Sequence, residues 1–344
     1  MRVLVTGGTG YVGSHTVAAL IAGGHDIRLL VRSPDRIAPA LGPLGLSGPV
    51  DHVVGDVTDR ECVERALAGC DAVVHAAAVF SLDSRAYRRM GQTNVRGAET
   101  VLTAAVQHGC DPIVHVSSIV ALLQRRATVT PKSTLSKARG VYVRSKAASE
   151  AVARRLQADG APIVIVQPGG VFGPHDPHLG DNVQRLRNVL RGRYPTWPSG
   201  GYHQVDVREV AEVHAAVMSA GAGPRSYIVP GHHVDGRAMF TTLRAVTGRR
   251  LPHVTLPAPA MLPFTWLVSA AQRLLPVHVP AEYEGVLLNM YDTRCDDSRA
   301  REELGVHPRP LVDTYRDTVR WLYDAGRLTA RQAGLPAGPG GQWP

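Results

Sequence analysis

Short apolar runs alternate with amphipathic stretches through the first half of the chain, and most of the runs end at a glycine or a polar residue. Runs at 2–6, 26–31, 50–54, 72–76, 113–117 and 162–167 predict strands. Between them, 14–22 (closed by Gly23-Gly24), 59–68, 94–108 and 142–158 predict helices, and 39–49 reads as a Pro/Gly loop. Strands that are apolar on both faces and separated by helices imply an α/β fold with a doubly wound parallel sheet. Ligands then bind at the carboxyl ends of the strands. Gly7, Arg32, Asp56, Ala76, Ser117-Ser118 and Pro168-Gly169 all fall at such ends.

Beyond Gly170 the pattern is irregular and richer in Pro, Gly and His. It divides the chain into an α/β unit over 1–170, with 203–231 returning to it, and a smaller lobe over 171–202 and 232–334 that is expected to hold a substrate. A helix at 207–219 and a strand at 227–229 are expected to rejoin the main sheet. The Pro/Gly-rich tail, 335–344, is expected to be disordered.

One apolar neighbourhood, 256–271, stands out. Pro257, Pro259 and Pro263 interrupt it and Gln272-Arg273 follow it, so it is too short and broken to span a bilayer. Burial in the core is the expected fate; a surface touching a membrane or a greasy substrate is the alternative.

The 344 residues are 44% apolar, enough for a large core. Cys62, Cys70, Cys110 and Cys295 form no CxxC pair, which suggests a reducing compartment without a disulfide framework. Met1 leads straight into an apolar strand without a secretory signal, so a cytoplasmic location is expected. The net charge of +9 comes from scattered arginines without interleaved aromatics, which gives no motive for nucleic-acid binding but suits an anionic small molecule. His175, Asp176, His178 and Asp181 lack a register that would converge on a metal, and none is expected. His175, His178, Tyr202, His203 and Arg208 are weak candidates for substrate contact.

The sequence from Thr6 to Gly13 reads TGGTGYVG, directly after the first strand and into the first helix. Gly7 permits a tight turn, Gly10 lets backbone approach a pyrophosphate, and Gly13 allows close packing, with Tyr11 and Val12 opening the helix. The second strand ends Leu30-Val31-Arg32, without the carboxylate that commonly meets a ribose 2′-hydroxyl. Arg32 can pair with a 2′-phosphate instead, which favours NADP(H) over NAD(H). Asp35 could also reach the ribose, and Asp56-Val57 could meet the adenine.

Tyr142 and Lys146 lie four apart and share one helix face. A neighbouring ammonium is expected to lower the phenol below its ordinary value of about 10, allowing it to exchange a proton with a carbonyl/alcohol pair. Lys146 can also hold a nicotinamide ribose. Ser118, at a strand end, can hydrogen-bond the reacting oxygen.

Taken together, these residues make the chain resemble the extended short-chain dehydrogenase/reductases. The matching segments are TGGTGYVG at Thr6, GDVTD at Gly55, HAAA at His75, NVRG at Asn94, VSS at Val116, YVRSK at Tyr142, QPGGVFGP at Gln167 and DDSRAREELG at Asp296, spanning about 3–325. The resemblance implies a Rossmann fold. It further implies that Gly7, Gly10 and Gly13 hold the pyrophosphate, Asp56 and Val57 meet the adenine, and Ala76 and Ala77 line the cleft. Ser118, Tyr142 and Lys146 are catalytic by the same resemblance, and Pro168, Gly169 and Val171 border the nicotinamide. Asn94 shapes the helix of the site or is a buried structural amide. Homodimers built from the helices at Asn94 and Tyr142 are implied too.

Among such enzymes, VRSPDR after the second strand and the ending at Asp296 most resemble dihydroflavonol-4-reductase-like and 3β-hydroxysteroid-dehydrogenase-like members. The expected activity is NADPH-dependent interconversion of a ketone or aldehyde and its alcohol on a largely apolar small molecule. A nucleotide-sugar epimerase with bound NAD is the rival, and a non-catalytic dinucleotide-binding regulator a remote one. Ile119 to Leu123 offer an apolar wall if they face the pocket, whereas a sugar needs convergent polar partners. Ile119 and Val120 replace the acid pair that a sugar dehydratase of this type carries.

Overall fold

The structure is a computed structural model that describes residues 1–79, 87–138, 140–274 and 283–335; for 87–89, 92 and 269–274 it describes backbone alone. The elements run β1 (Arg2–Thr6), α1 (Tyr11–Ala22), β2 (Asp26–Val31), α2 (Ile37–Leu41), β3 (Asp51–Val54), α3 (Arg60–Leu67), β4 (Ala72–His75), α4 (Tyr87–Gln107) and β5 (Ile113–Val116). They continue with β6 (Thr128–Val129), α5 (Val141–Ala158), β7 (Ile163–Gln167), β8 (Gly170–Phe172), α6 (Asp181–Leu190), β9 (Thr196–Pro198), β10 (Gly201–Asp206), α7 (Val207–Ala216) and β11 (Arg225–Ile228). The remainder comprises β12 (His232–Asp235), α8 (Gly236–Thr247), β13 (Val254–Leu256), α9 (Ala258–Leu274), α10 (Tyr283–Tyr291), β14 (Arg294–Cys295), α11 (Ser298–Leu304), α12 (Leu311–Asp324) and α13 (Ala330–Ala333).

Seven strands form one parallel sheet in the order β11-β7-β5-β4-β1-β2-β3. The order reverses between β1 and β4, where Thr6 pairs with His75, so the crevice for a ligand opens beyond these two strand ends. The expected doubly wound Rossmann architecture is present. Except on the edge strand β3, whose Val54 is exposed, the Val and Ile side chains of these strands are buried on both faces, which is why their sequence shows no polar alternation. One face packs on α1 and α7 through Val17, Leu20, Val210 and Val213. The other packs on α3, α4 and α5 through Val63, Val101, Leu102 and Val152.

β11 joins the sheet beside β7, while β10 pairs with β8 and β12 in a separate three-stranded sheet. A third core, around Phe172, Trp197, Phe240 and Tyr315, holds α6, α8 and α12 together.

Three expectations change. The segment 39–49 is not all loop: Pro39 lies inside the short α2, in the first turn, where its missing N–H costs nothing. Helix α4 starts at Tyr87, about two turns before Asn94. The apolar neighbourhood at 256–271 is not core: Leu256, Phe264, Trp266 and Leu267 are exposed, because α9 lies on the surface. Among the described residues no helix is long and apolar enough to cross a membrane. Leu335 is buried; the rest of the expected disordered tail, 336–344, lies outside the described residues.

Candidate active site

A cavity of about 330 Å³ opens at the carboxyl ends of β1, β4, β5 and β7. Gly7, Gly10, Tyr11, Val12 and Gly13 form its floor on one side. Gly7 sits at φ +76°, and a Cβ there would strike the backbone of Ala76 and Ala77, the turn that follows β4. A Cβ on Gly13 would lie 2.0 Å from the Gly7 carbonyl, so α1 can begin this close to the loop only with glycine. The N-cap of α1 is Gly10, and no side chain caps its first turn. Unblocked helix N–H groups behind a backbone without side chains suit a pyrophosphate, so the loop fits a dinucleotide. Ala76 lines the cavity, while the Ala77 N–H bonds the Thr6 hydroxyl at 3.3 Å.

Ser118, Tyr142 and Lys146 all line the same cavity, although they come from the end of β5 and the start of α5. The phenol of Tyr142 hydrogen-bonds the Ser118 hydroxyl. Ser118 also donates to the Pro168 carbonyl at 3.2 Å and caps the turn that follows by accepting from Val120 N–H. Lys146 Nζ is buried and donates to the carbonyls of Val116 (3.3 Å) and Ser117 (3.5 Å). Burial lowers the Lys146 ammonium to about 8, against the opposing pull of Glu150. Burial also pushes the Tyr142 phenol above its ordinary range, and the Ser118 bond only partly offsets this. The expected lowering of the phenol by the ammonium is not seen in this arrangement: burial dominates, and Nζ donates to backbone carbonyls.

Two carboxylates that hold this site escaped the sequence reading. Glu284, on α10, accepts the Val141 N–H at 2.6 Å and so caps α5, whose own N-cap is Gly140. Its distance along the chain left no local signal. Glu150, fully buried, accepts from Ser117 Oγ (2.5 Å), Gln167 Nε2 (2.8 Å) and Arg154, tying α5 to the ends of β5 and β7. The Tyr142–Lys146 spacing continued by one more helical turn points to it. Asn94 proves to be a buried tie: its amide pairs with both the N–H and the carbonyl of Val79 and donates to Ser145 Oγ.

Pro168, Gly169 and Val171 border the cavity opposite α1, and a Cβ on Gly169 would lie 2.4 Å from the His203 carbonyl. Of the expected apolar wall, Ile119, Val120 and Leu123 face the cavity. His178, Asp181, Asn182, Arg185 and Tyr202 line it as well. Arg32, Asp56 and Val57 are not among the lining residues. Arg32 is exposed at the end of β2; Asp56 accepts from the N–H and hydroxyl of Thr58, and Val57 packs against Gly97. His175 edges onto Trp321, and His203 Nε2 lies 2.9 Å from the Val229 carbonyl, away from the cavity. Arg208 is engaged by Asp206 and Asp317.

Residues 3–229 match the model of the NAD dependent epimerase/dehydratase family. A Synechocystis sp. protein named "Putative dihydroflavonol 4-reductase" is 30% identical over 332 residues, covering 94% of each chain. The sterol demethylase protein B of Methylococcus capsulatus is 28% identical over 337 residues, covering 95% of this chain and all of that one. Among solved structures, that of gox2253 superposes with a TM-score of 0.79 at 27% identity over 95% of this chain and 99% of its own. The glycine loop, the parallel sheet and these likenesses agree: the chain belongs to the NAD dependent epimerase/dehydratase family, the extended short-chain dehydrogenase/reductases.

Proposed function

We propose that the protein is an NADPH-dependent reductase or dehydrogenase that interconverts a ketone or aldehyde and its alcohol on a largely apolar small molecule. The observation that carries this reading is the Tyr142–Ser118 hydrogen bond beside a wall of Ile119, Val120 and Leu123. The bound dinucleotide supplies a hydride to the carbonyl carbon. Tyr142 gives its proton to the carbonyl oxygen, and Ser118 shares the charge that develops there. Carbonyl, hydride and proton make the alcohol, and the reverse reaction returns each. A phenol held neutral by burial is in the correct state to act as the acid in reduction. Lys146, buried beneath it, holds the nicotinamide ribose, with Pro168, Gly169 and Val171 bordering the ring. Arg32 takes the 2′-phosphate, and Asp56 and Val57 meet the adenine.

Initial rates with NADPH and a panel of apolar ketones and aldehydes test the proposal. Consumption of NADPH matched by alcohol formation supports it. Purification with bound NAD and interconversion of nucleotide sugars without net redox change overturns it in favour of an epimerase. That second reading is favoured by Asp181, Asn182 and Arg185, which add polar groups to the cavity lining.

A further inference from the structure

Helix α9 has the wrong surface for water. Its outward arc consists of Pro259, Ala260, Pro263, Phe264, Trp266 and Leu267, all exposed and all apolar, while Ala258 and Thr265 are buried on the opposite side. Phe264, Trp266 and Leu267 are 63%, 61% and 61% exposed. On the edge strand β13 beside it, Val254 is 59% exposed. Scattered single apolar residues are ordinary on a protein surface, but a contiguous patch of this kind marks a contact. The patch rims a second cavity of about 330 Å³ between α9, α10 and β9, with Tyr194, Trp197 and Met261 in its walls.

The charge beside it indicates what the contact is. Arg191 and Arg193 lead into β9, and Arg249 leads into β13; the two strands run parallel, so these arginines gather at the N-terminal end of the pair, next to Tyr194 of the cavity wall. Arg249 Nη1 donates to the Leu190 and Gln332 carbonyls, and Arg191 to the Arg327 carbonyl, which draws Arg327 and Arg331 into the same cluster. Among the described residues no carboxylate ion-pairs with Arg187, Arg191, Arg193, Arg249, Arg327 or Arg331. Burial, and after it the nearby charges of Arg191, Arg327 and Arg193, hold the Arg187 guanidinium below its ordinary range. A two-fold contact between copies of this chain through α9 would set two such clusters against each other.

We infer that the α9–β13 face docks onto an anionic lipid bilayer, with Phe264, Trp266 and Leu267 entering the headgroup boundary and the arginine cluster resting on the phosphates. Aromatic and aliphatic side chains on one arc with arginines at its edge are what a helix lying in a membrane interface requires. The inference is independent of the activity proposed above.

Sedimentation of the full chain with phosphatidylcholine vesicles, with or without phosphatidylglycerol, tests it. Binding is expected with the anionic vesicles alone and is expected to weaken with salt. The combined Phe264→Gln, Trp266→Gln and Leu267→Gln variant, and separately the Arg193→Glu, Arg327→Glu variant, are expected to bind at least about tenfold more weakly, with unchanged thermal midpoints. Should either variant lose its fold, quenching of wild-type tryptophan emission by brominated lipid in anionic vesicles reads insertion without any substitution. Absence of both sedimentation and quenching overturns the inference, as does full binding by the folded apolar variant. A wild-type dimer in solution that this variant dissolves overturns it too, since a second copy then covers the face.

Discussion

The hydroxyls of Tyr142 and Ser118 are hydrogen-bonded to each other across two elements that share no local sequence, the start of α5 and the end of β5. The contact depends on Glu284 capping α5 from α10, and on Asn94 bracing Val79 and Ser145. In the proposed reaction an oxygen bound between the two hydroxyls receives a bond from one and a proton from the other. Tyr142→Phe removes the proton source and leaves the ring, so turnover is expected to fall by roughly 10²- to 10⁴-fold. Dinucleotide affinity, read by fluorescence titration, is expected to stay within a few-fold of wild type. Retained turnover in Tyr142→Phe contradicts the assignment of the proton to this phenol.

Arg32 stands exposed at the end of β2, and among the described residues no carboxylate pairs with it. A guanidinium free of a partner can form charge-assisted bonds with a 2′-phosphate, each of about 1.5–3 kcal/mol. Arg32→Ala is therefore expected to weaken NADPH roughly 10- to 100-fold and to leave NADH nearly unaffected. Equal losses for the two dinucleotides, measured by titration of wild type and variant, remove the case for a 2′-phosphate site.

The strands that align the site were legible because a two-sided apolar strand has few alternatives: β1 and β2 begin and end where the Val/Leu runs do. Gly7, Gly13, Ser118, Tyr142 and Lys146 carry local signals of spacing and position at strand ends, and the fold brings them around one cavity. Glu284 was illegible because its partner lies 143 positions away and a lone glutamate has no pattern. The phenol's upward displacement was illegible as well, since spacing reports a lysine one turn away but not how deeply the hydroxyl is buried. The exposure of α9 escaped for a related reason. Periodicity marks a face as apolar without saying whether the protein covers it.

Buried neutral histidines weaken the folded state as the pH falls. His214 is fully buried between α1 and α7, its Nδ1 2.8 Å from the Thr16 hydroxyl, and burial lowers it to about 3. An unfolded histidine titrates near 6.5, so below that pH the unfolded chain binds a proton that the folded one refuses. The stabilising contribution is thus fully present above about 6.5 and is lost as the pH falls toward 3, at about 1.4 kcal/mol per pH unit. His75 (about 3) and His15 (about 4) behave alike, whereas Glu150, Asp176, Glu209 and Glu284, raised by burial, act in the opposite sense. Comparing wild type with His214→Asn isolates one group: the variant's deficit in urea unfolding is expected to shrink steadily from pH 6.5 to 5. A deficit independent of pH contradicts a neutral His214.

Glu150 lies one turn beyond Lys146 and is the negative charge that holds the lysine up against desolvation. It also anchors Ser117, whose carbonyl receives Nζ. Replacing it by Gln preserves the size and the capacity to hydrogen-bond, so the ends of β5 and β7 stay joined to α5, but the charge is gone. An ammonium deprived of its counter-charge in a buried site loses its proton more readily. If the reaction needs Lys146 protonated, its alkaline limb in wild type lies near the value of about 8 set by burial. In Glu150→Gln that limb is expected to move to lower pH, while rates below it stay within about tenfold of wild type. A merely structural role for Glu150 predicts a different result, a uniform loss at every pH with the limb in place. The pH dependence of kcat/KM for the two proteins decides between them: an unmoved limb means that Glu150 acts through packing alone and that its charge does not govern the lysine.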